Sequence, residues 1–226
     1  MFETMNSEVR RRYPLAFLSF FPIILMSLLV ISIPASAQEY RSGWDIIDSG
    51  TLEDLYSVES QGNEIWAFGE NGIMIISLDG GLTWEVSESL TSSDLTISSS
   101  GYGSFLAASD DGTILLKSTD DSEWSDITFD FGDELIHGAC LTGVSELVIV
   151  GGNGTIWTYK MQEWTNRSVS GWDLLDVSFL DSERGIAVGE QGTILFSDDS
   201  GESWDYRDAP TEASSSRITD VEFFSE

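Results

Sequence analysis

Apolar runs of four to six residues alternate with polar, glycine-containing turns over most of the chain. In the last complete copy of this pattern, three apolar runs precede Trp204, at 174–179, 185–189 and 193–196. Such runs are typical of short β-strands joined as hairpins, because glycine supplies the positive φ that tight hairpins need. Each copy is therefore predicted to form a sheet of four short antiparallel strands, with the tryptophan on the fourth.

The copies repeat every forty residues. Five tryptophans keep this interval, namely Trp44, Trp84, Trp124, Trp164 and Trp204. Leucines keep it as well, eleven residues after each of the first four tryptophans, at Leu55, Leu95, Leu135 and Leu175. A four-stranded unit of about forty residues is the size of a β-propeller blade, and a blade is stable only when neighbours cover its faces. The repeat predicts an all-β propeller with four full blades.

A last apolar run, Ile218 to Phe224, is predicted to begin a fifth blade. Only one outer strand, around Trp44, precedes the full repeats, so the count leaves this fifth blade partial. The two terminal strands could pair in a partial blade, the reading frame could be truncated, or a partner chain could complete the ring. The sequence leaves these alternatives open and predicts an incomplete or fragmentary propeller.

The N-terminal segment has the three parts of a secretory signal peptide. Arg10–Arg12 are basic, a nearly unbroken apolar run extends from Leu15 to Ile33, and Ala35-Ser36-Ala37 matches a cleavage site. We predict a signal peptide at 1–37, or an uncleaved membrane anchor, because the apolar run approaches the length that spans a bilayer. The propeller domain is then 38–226, and the protein is secreted or extracytoplasmic.

The chain is strongly acidic, with 39 Asp and Glu against 10 Lys and Arg and a formal net charge of -29. Such a surface repels nucleic acid and anionic lipid headgroups. No nucleic-acid partner is therefore expected, and membrane contact is expected only through the N-terminal segment if it stays uncleaved. A solvated acidic coat explains charges spread along the whole chain, and a surface that recruits cations or a basic partner is the alternative.

Two turns share the pattern Ser-x-Asp-x-Gly-x-Thr/Ser-Trp. They consist of Ser77, Asp79, Gly81, Thr83 and Trp84, and of Ser197, Asp199, Gly201, Ser203 and Trp204. The aspartate can accept hydrogen bonds from its own turn, the glycine can adopt the left-handed conformation, and the tryptophan can cover the turn. The pattern is degraded before Trp124 and Trp164 although both tryptophans stay. This behaviour indicates a structural role.

These turns resemble the Asp boxes of bacterial-neuraminidase-type (BNR) repeats. With the glycine turns and the repeated tryptophans, residues 44 to about 224 are similar to the YVTN/BNR-like propellers of the photosystem II assembly and stability factor family. The resemblance implies a seven-bladed ring, which the repeat count does not fill, and a non-enzymatic, chaperone-like binder of membrane-protein intermediates. Asp boxes also occur in sialidases and other glycan-active proteins, so the resemblance is more specific for the fold than for the function.

No catalytic constellation is recognisable. A sialidase needs arginines that converge on a carboxylate, but the arginines after residue 37 do not recur at one position of consecutive repeats; they are Arg41, Arg167, Arg184, Arg207 and Arg217. The lone His137 has no nucleophile motif beside it, and the lone Cys140 allows no intrachain disulfide and no cysteine-based metal site. We therefore expect no enzymatic activity and no cofactor.

Calcium is the one ion that the sequence leaves open. Paired acids at 110–111, 120–121 and 198–199 offer the oxygen ligands that Ca²⁺ prefers. Turn formation explains the same residues and is favoured here, because no twelve-residue calcium loop is present.

The sequence favours an exported, non-enzymatic scaffold or assembly factor that binds an unidentified protein partner through the loops of a propeller face. The alternative is a secreted carbohydrate-binding or glycoside-hydrolysing Asp-box protein. A glycan site would combine exposed aromatic residues with carboxylates, whereas a protein site would be a broader apolar or charged patch. Candidate exposed aromatic residues outside the repeat register are Tyr102, Trp157, Trp172 and Tyr206.

Overall fold

Four four-stranded sheets make up the regular structure in the part of the chain that the computed structural model describes, residues 45–121, 123–209 and 215–223. We call them blades 1 to 4 in chain order. Blade 1 consists of β1 (Leu55–Gln61), β2 (Glu64–Gly69), β3 (Met74–Ser77) and β4 (Glu85–Val86). Blade 2 consists of β5 (Ile97–Gly101), β6 (Ser104–Ala108), β7 (Ile114–Ser118) and β8 (Ser125–Asp126). Blade 3 consists of β9 (Ile136–Gly143), β10 (Glu146–Gly151), β11 (Ile156–Lys160) and β12 (Glu163–Asn166). Blade 4 consists of β13 (Leu174–Phe179), β14 (Gly185–Gly189), β15 (Ile194–Ser197) and β16 (Asp205–Tyr206).

In every blade the strands pair in chain order, and each pair is antiparallel. The predicted all-β fold with four full blades is confirmed, and β13 and β14 coincide with the predicted runs at 174–179 and 185–189.

The turn between β2 and β3 is a tight one, in which Asn71 and Gly72 have φ of 54° and 73°. The Ile73 amide donates to the Glu70 carbonyl at 3.0 Å. The glycine turn therefore supplies the positive φ that a short hairpin requires.

The blades stack face to face. The first strands of consecutive blades are neighbours, and directly opposed residues of paired strands point to the same side of a sheet. In blade 4, one such buried row consists of Val177, Ala187 and Leu195. With Trp204, this row packs against blade 3, on Val148, Val150 and Ile156. We call the side of each blade that carries this row its incoming face, and the opposite side its outgoing face.

The repeated tryptophans belong to these contacts between blades. Trp124 of blade 2 packs edge-on against Trp66 and Phe68 of blade 1, with ring centroids 5.1 Å and 5.6 Å apart. The predicted position of Trp204 on the fourth strand differs from the structure by one residue, because Trp204 directly precedes β16. Its indole N–H donates to the Gly201 carbonyl at 3.0 Å, so the turn holds the ring before the strand begins.

The leucine series drifts out of structural register. Gly69 pairs with Leu55, but the equivalent Gly151 pairs with Ile136, and Gly189 pairs with Leu174. Leu135 is consequently 52% exposed, whereas Ile136 is fully buried. Loops of unequal length between each tryptophan and the next first strand cause this drift.

The chain continues past blade 4 along its outgoing side. Ile218 N donates to Gly189 O at 3.0 Å, just as Leu95 N donates to Gly69 O at 3.0 Å between blades 2 and 1. Residues 218–223 therefore lie where the first strand of a further blade would lie. The predicted strand Ile218–Phe224 is wrong for residues 218–223, which form no β-strand. A β-ladder needs a second strand, and the described residues provide none beside this segment. Phe224 lies outside the described residues.

Two further predictions fall outside the described residues, namely the signal peptide at 1–37 and the position of Trp44. Within the described ranges, no helix has the length and apolar character needed to cross a membrane.

Candidate functional site

The first Asp box is a closed network of hydrogen bonds within one turn. Asp79 Oδ1 accepts from the Thr83 amide at 2.9 Å and from the Ser77 hydroxyl at 2.8 Å. Asp79 Oδ2 accepts from the Thr83 hydroxyl at 2.7 Å, and Ser77 Oγ accepts from the Gly81 amide at 2.8 Å. The Trp84 indole closes the turn on the Gly81 carbonyl at 3.2 Å. Both carboxylate oxygens are thus engaged by the turn itself.

The second Asp box repeats this geometry. Asp199 accepts from the Ser203 amide at 2.8 Å, from the Ser203 hydroxyl at 2.6 Å and from the Ser197 hydroxyl at 2.9 Å. The Thr83 hydroxyl lowers the pKa of Asp79 to about 2, because it stabilises the charged carboxylate. At Asp199 burial opposes the same effect, but the bonds from Ser203 outweigh it and the pKa is still lowered. These aspartates are ionised turn residues rather than general acids.

The degraded turns use other chemistry. Lys117 takes the place of Ser77 in blade 2, and its buried ammonium donates to the carbonyls of Ser118 and Asp121 at 3.1 Å and 2.6 Å. In blade 3, Met161 and Gln162 form a two-residue turn with φ of 52° and 66°. Trp124 Nε1 is buried and finds no hydrogen-bond acceptor among the described residues. The carbonyl of Asp121, which takes the place of Gly81, accepts from the Lys117 ammonium instead.

Acid is expected to weaken the fold through Asp79 in the first Asp box and through Asp111 in the turn between β6 and β7. Asp79 and Asp111 have pKa values lowered to about 2, Asp79 by the Thr83 hydroxyl and Asp111 by the Ser109 hydroxyl. A depressed pKa stabilises the native state above the unfolded value of about 4, and this contribution is lost as the pH falls from about 4 to about 2. In urea unfolding from about pH 6 to about pH 2, the D79N/D111N variant should therefore lose less stability than the wild type. Identical pH profiles for the two proteins would contradict this expectation.

Polar residues occupy one equivalent position on the first strand of each blade. This position holds Glu59, Ser99, Cys140 and Ser178, which pair with the second strand at equivalent residues, and Glu222 follows in the C-terminal segment. All five residues line a cavity of about 300 Å³ between the first strands, together with some of their neighbours. Sequence reasoning missed this set, because its spacing is only approximately forty residues.

Hydrogen bonds explain why Glu59 and Ser99 are polar. The Ser98 hydroxyl donates to Glu59 at 2.9 Å, and the Leu141 amide donates to the Ser99 hydroxyl at 3.2 Å, so each bond joins first strands of adjacent blades. The Val221 amide donates to Asp176 at 2.8 Å and ties the C-terminal segment to blade 4. Burial raises the pKa of Asp176 and raises that of the Cys140 thiol to about 11. Cys140 is therefore an unreactive thiol at neutral pH.

Asp111, one of the acids considered for calcium, and His137 both have hydrogen-bond partners within the fold. Asp111 accepts from the hydroxyl of Ser109 in its own turn and from that of Ser93 in the loop before blade 2. His137 Nδ1 lies 2.9 Å from the Leu174 carbonyl of the next blade. In the described part of the chain, no three His, Cys, Asp or Glu side chains converge on a site that could hold a metal ion.

One end of the blades is a face made of loops. The turns between second and third strands and the loops between blades emerge together there, because every blade is an antiparallel meander. We call this end the loop face. Asn71 N donates to Asp94 at 2.8 Å, and Asn153 N donates to Asp173 at 2.8 Å, so each turn is fixed by the loop that leads into the next blade. The loop face is thereby held in one arrangement.

Two of the candidate aromatic residues are exposed on the loop face. Trp172 and Tyr206 are 56% and 55% exposed. The Tyr206 hydroxyl donates to the Ser170 carbonyl at 2.8 Å, so its ring lies over the backbone that leads to Trp172. Arg207 follows directly but lies on the other side of blade 4, where it stacks 4.9 Å above the Phe196 ring. We call Trp172 and Tyr206 the aromatic patch.

The other two candidates lie elsewhere. Trp157 packs among Phe129, Phe131 and Trp164, with centroids 5.2 Å and 5.7 Å from the two phenylalanines, and is a packing residue rather than an exposed one. Tyr102 has a φ of 51° in the turn between β5 and β6, at the opposite end from the loop face, and lines the cavity between the first strands.

A match to a known family covers the C-terminal third of the chain. Residues 156–226 match the family described as photosynthesis system II assembly factor YCF48. The chain has a YCF48-like BNR β-propeller fold. A search of curated proteins by sequence found no match. The matched segment includes blade 4 and the aromatic patch.

Solved structures extend the YCF48-like fold over most of the chain. A structure of YCF48 bound to D1 peptide superposes with a TM-score of 0.63 at 16% identity, over 81% of this chain and 63% of that one. YCF48 from Cyanidioschyzon merolae superposes with a TM-score of 0.55 at 15% identity, over 72% of this chain and 59% of that one. The structure of U3-55K superposes with a TM-score of 0.57 at 11% identity, over 70% of this chain and 52% of that one. The chain thus spans about three fifths of the length of the YCF48 structures.

Proposed function

We propose that the protein is an exported, non-enzymatic scaffold that binds a protein partner through the loop face of blades 3 and 4. The aromatic patch carries this proposal. Trp and Tyr are among the residues that most often dominate the binding energy of protein interfaces. Export is supported by the signal-peptide pattern of residues 1–37.

The patch is held in place before a partner arrives. Tyr206 is fixed to the Ser170 carbonyl, and Asp173 is fixed to the Asn153 amide. A site that is already ordered loses little conformational entropy on binding, so more of its contact energy appears as affinity. Asp173, Asp205 and Asp208 flank the patch residues in the sequence, and their carboxylates favour a partner segment that carries basic residues.

The YCF48-like fold supports a peptide as the partner. One similar structure is YCF48 with a bound D1 peptide, which shows that a propeller of this type can hold a peptide. We propose that the present protein binds a peptide segment of a membrane protein on the outer side of the cytoplasmic membrane, as an assembly or stability factor.

The test is affinity capture from the native envelope with a matched pair of variants. The wild type should retain one discrete membrane-protein complex, and the W172A/Y206A variant should retain at least tenfold less, since a hot-spot residue contributes about 2 kcal/mol. The M161A variant is the control, because Met161 is 90% exposed in a turn at the opposite end of blade 3. Equal capture by all three proteins would overturn the proposal.

A second candidate function rests on the same patch. Exposed aromatic rings beside carboxylates can also stack on sugar rings and bond their hydroxyls, which would make the protein a carbohydrate-binding or glycoside-hydrolysing one. Retention on native polysaccharide that is lost in the W172A/Y206A variant, with no membrane-protein complex captured, would favour this function over the scaffold.

A further inference from the structure

The loops after the fourth strands of blades 1 and 2 leave their blades at equivalent points. Ser87 N donates to Met74 O and Ile127 N donates to Ile114 O, both at 2.9 Å. Each loop then contributes side chains to the cleft between its own blade and the next one. The two clefts can therefore be compared directly.

Aromatic rings fill the cleft between blades 2 and 3. Phe129 and Phe131, two and four residues after Ile127, pack on Trp157 and Trp164 with ring centroids 5.1 Å to 6.1 Å apart. Trp164 Nε1 also donates to the Ile127 carbonyl at 3.1 Å. Rings and a hydrogen bond thus close this cleft.

The cleft between blades 1 and 2 lacks these elements. Ser89 and Thr91 stand two and four residues after Ser87, and the buried Trp124 Nε1 donates to no described acceptor. A cavity of about 370 Å³ remains between these two described blades, and a cavity of this size can hold a small molecule. We call it the blade 1–2 cleft. Its described lining residues are Trp66, Ser87, Glu88, Leu90, Glu123 and Trp124.

Two tryptophans form most of the apolar lining of the blade 1–2 cleft. Trp66 and Trp124 pack at 88° with ring centroids 5.1 Å apart. Trp66 is buried, and its Nε1 donates to Glu64 at 2.8 Å, so this wall keeps its shape without a ligand. Trp124 is partly exposed and offers indole surface to a ligand. Among aromatic side chains, indole attracts cations best.

The charges at the blade 1–2 cleft are negative. Glu88 and Glu123 line it and are exposed, and no described Lys or Arg lines it. Lys117, which lies 3.9 Å from Glu64, donates to the carbonyls of 118 and 121 and is not a lining residue. Carboxylates beside indole rings attract a cation and repel an anion.

We propose that the blade 1–2 cleft binds a small organic cation of the alkylammonium class. Its ammonium group would lie against Trp124 and beside the carboxylates of Glu88 and Glu123. An alkylammonium ion suits the cleft better than a metal ion, because its alkyl groups can contact the rings and two carboxylates are few for a metal. This inference does not rest on the proposed function, because the aromatic patch lies on blades 3 and 4.

The test titrates the purified protein with choline chloride and, separately, with the uncharged carbon isostere of choline, dimethylbutanol. Tryptophan fluorescence and isothermal titration calorimetry measure both affinities. The wild type should bind choline at least about tenfold more tightly than the isostere, because only choline carries the charge. The E88Q/E123Q variant should bind choline about tenfold more weakly, with little change for the isostere. Added sodium chloride should also weaken choline binding, since salt screens exposed charges.

The matched control is the E163Q/E183Q variant. Glu163 and Glu183 are exposed on blades 3 and 4, so this variant loses the same charge far from the blade 1–2 cleft. It should bind choline like the wild type, and circular dichroism should show that all variants are folded. No saturable choline binding by the wild type, equal affinities for choline and the isostere, or equal losses in the two double variants would overturn the proposal.

Discussion

The Gly189→Ala variant is expected to fail to fold. Gly189 has extended backbone, but a Cβ at this position would lie 2.0 Å from the Asp173 carbonyl oxygen, which is backbone and cannot swing away. The adjacent Glu190 amide donates to the same carbonyl at 2.9 Å, so relief of the overlap breaks a bond between the turn and the first strand. We expect a loss of more than about 4 kcal/mol, which exceeds the effect of most single substitutions.

Gly101→Ala is the control for this variant. Gly101 also ends a strand, has a negative φ, and has no atom within 4 Å of the position of a Cβ. Its substitution should change the free energy of unfolding by less than about 1 kcal/mol. Circular dichroism and urea unfolding of both variants measure the difference, and a folded, cooperative Gly189→Ala protein would show that the close approach of these backbones is not required.

The Trp204→Ala variant is expected to be much less stable than the Trp84→Ala variant. Trp204 is 9% exposed and packs on the outgoing face of blade 3, so its removal leaves a cavity between two blades and should cost about 3–5 kcal/mol. Trp84 occupies the same repeat position and makes the same bond to its turn, at 3.2 Å from the Gly81 carbonyl. It lies beside Leu55 and Val58 on the side of blade 1 that no described blade covers, and its removal should cost about 1 kcal/mol.

This pair isolates the contact between blades. Both variants lose an indole and its hydrogen bond to a glycine carbonyl, so the difference in their free energies of unfolding reports mainly the packing on the preceding blade. Urea unfolding at a protein concentration that keeps the chain monomeric gives the two values. Equal losses would mean that the tryptophans stabilise their own turns and contribute little to blade stacking.

The four-bladed fold could be predicted from the sequence because the tight turns and the tryptophans near the fourth strands keep a fixed spacing. Trp84, Trp124 and Trp204 are separated by forty and eighty residues because each follows a turn of nearly constant length after the third strand of its blade. The glycine turns could be predicted for the same reason, because left-handed φ values restrict the residue types. Blade 2 is the exception, where Ser109 replaces the glycine found at Gly69 and the turn closes on Gly112 instead.

The inner strands were harder to predict because loops of unequal length precede them. Glu59, Ser99, Cys140 and Ser178 share one structural position but not one residue type or one spacing. The hydrogen bonds that Glu59 and Ser99 make to the neighbouring blade exist only after the blades have stacked. The exposed state of Trp172 and the packed state of Trp157 likewise depend on loops between blades, which local sequence patterns do not define.

The central claim, that the loop face of blades 3 and 4 binds a protein partner, is tested most directly by photo-cross-linking in the native envelope. A photoreactive phenylalanine analogue is placed at Trp172 on the loop face, and in a second variant at Met161, which is exposed at the opposite end of blade 3. We predict one discrete protein adduct from position 172 and none of that size from position 161. The absence of an adduct at position 172, or the same adduct from both positions, would contradict the claim.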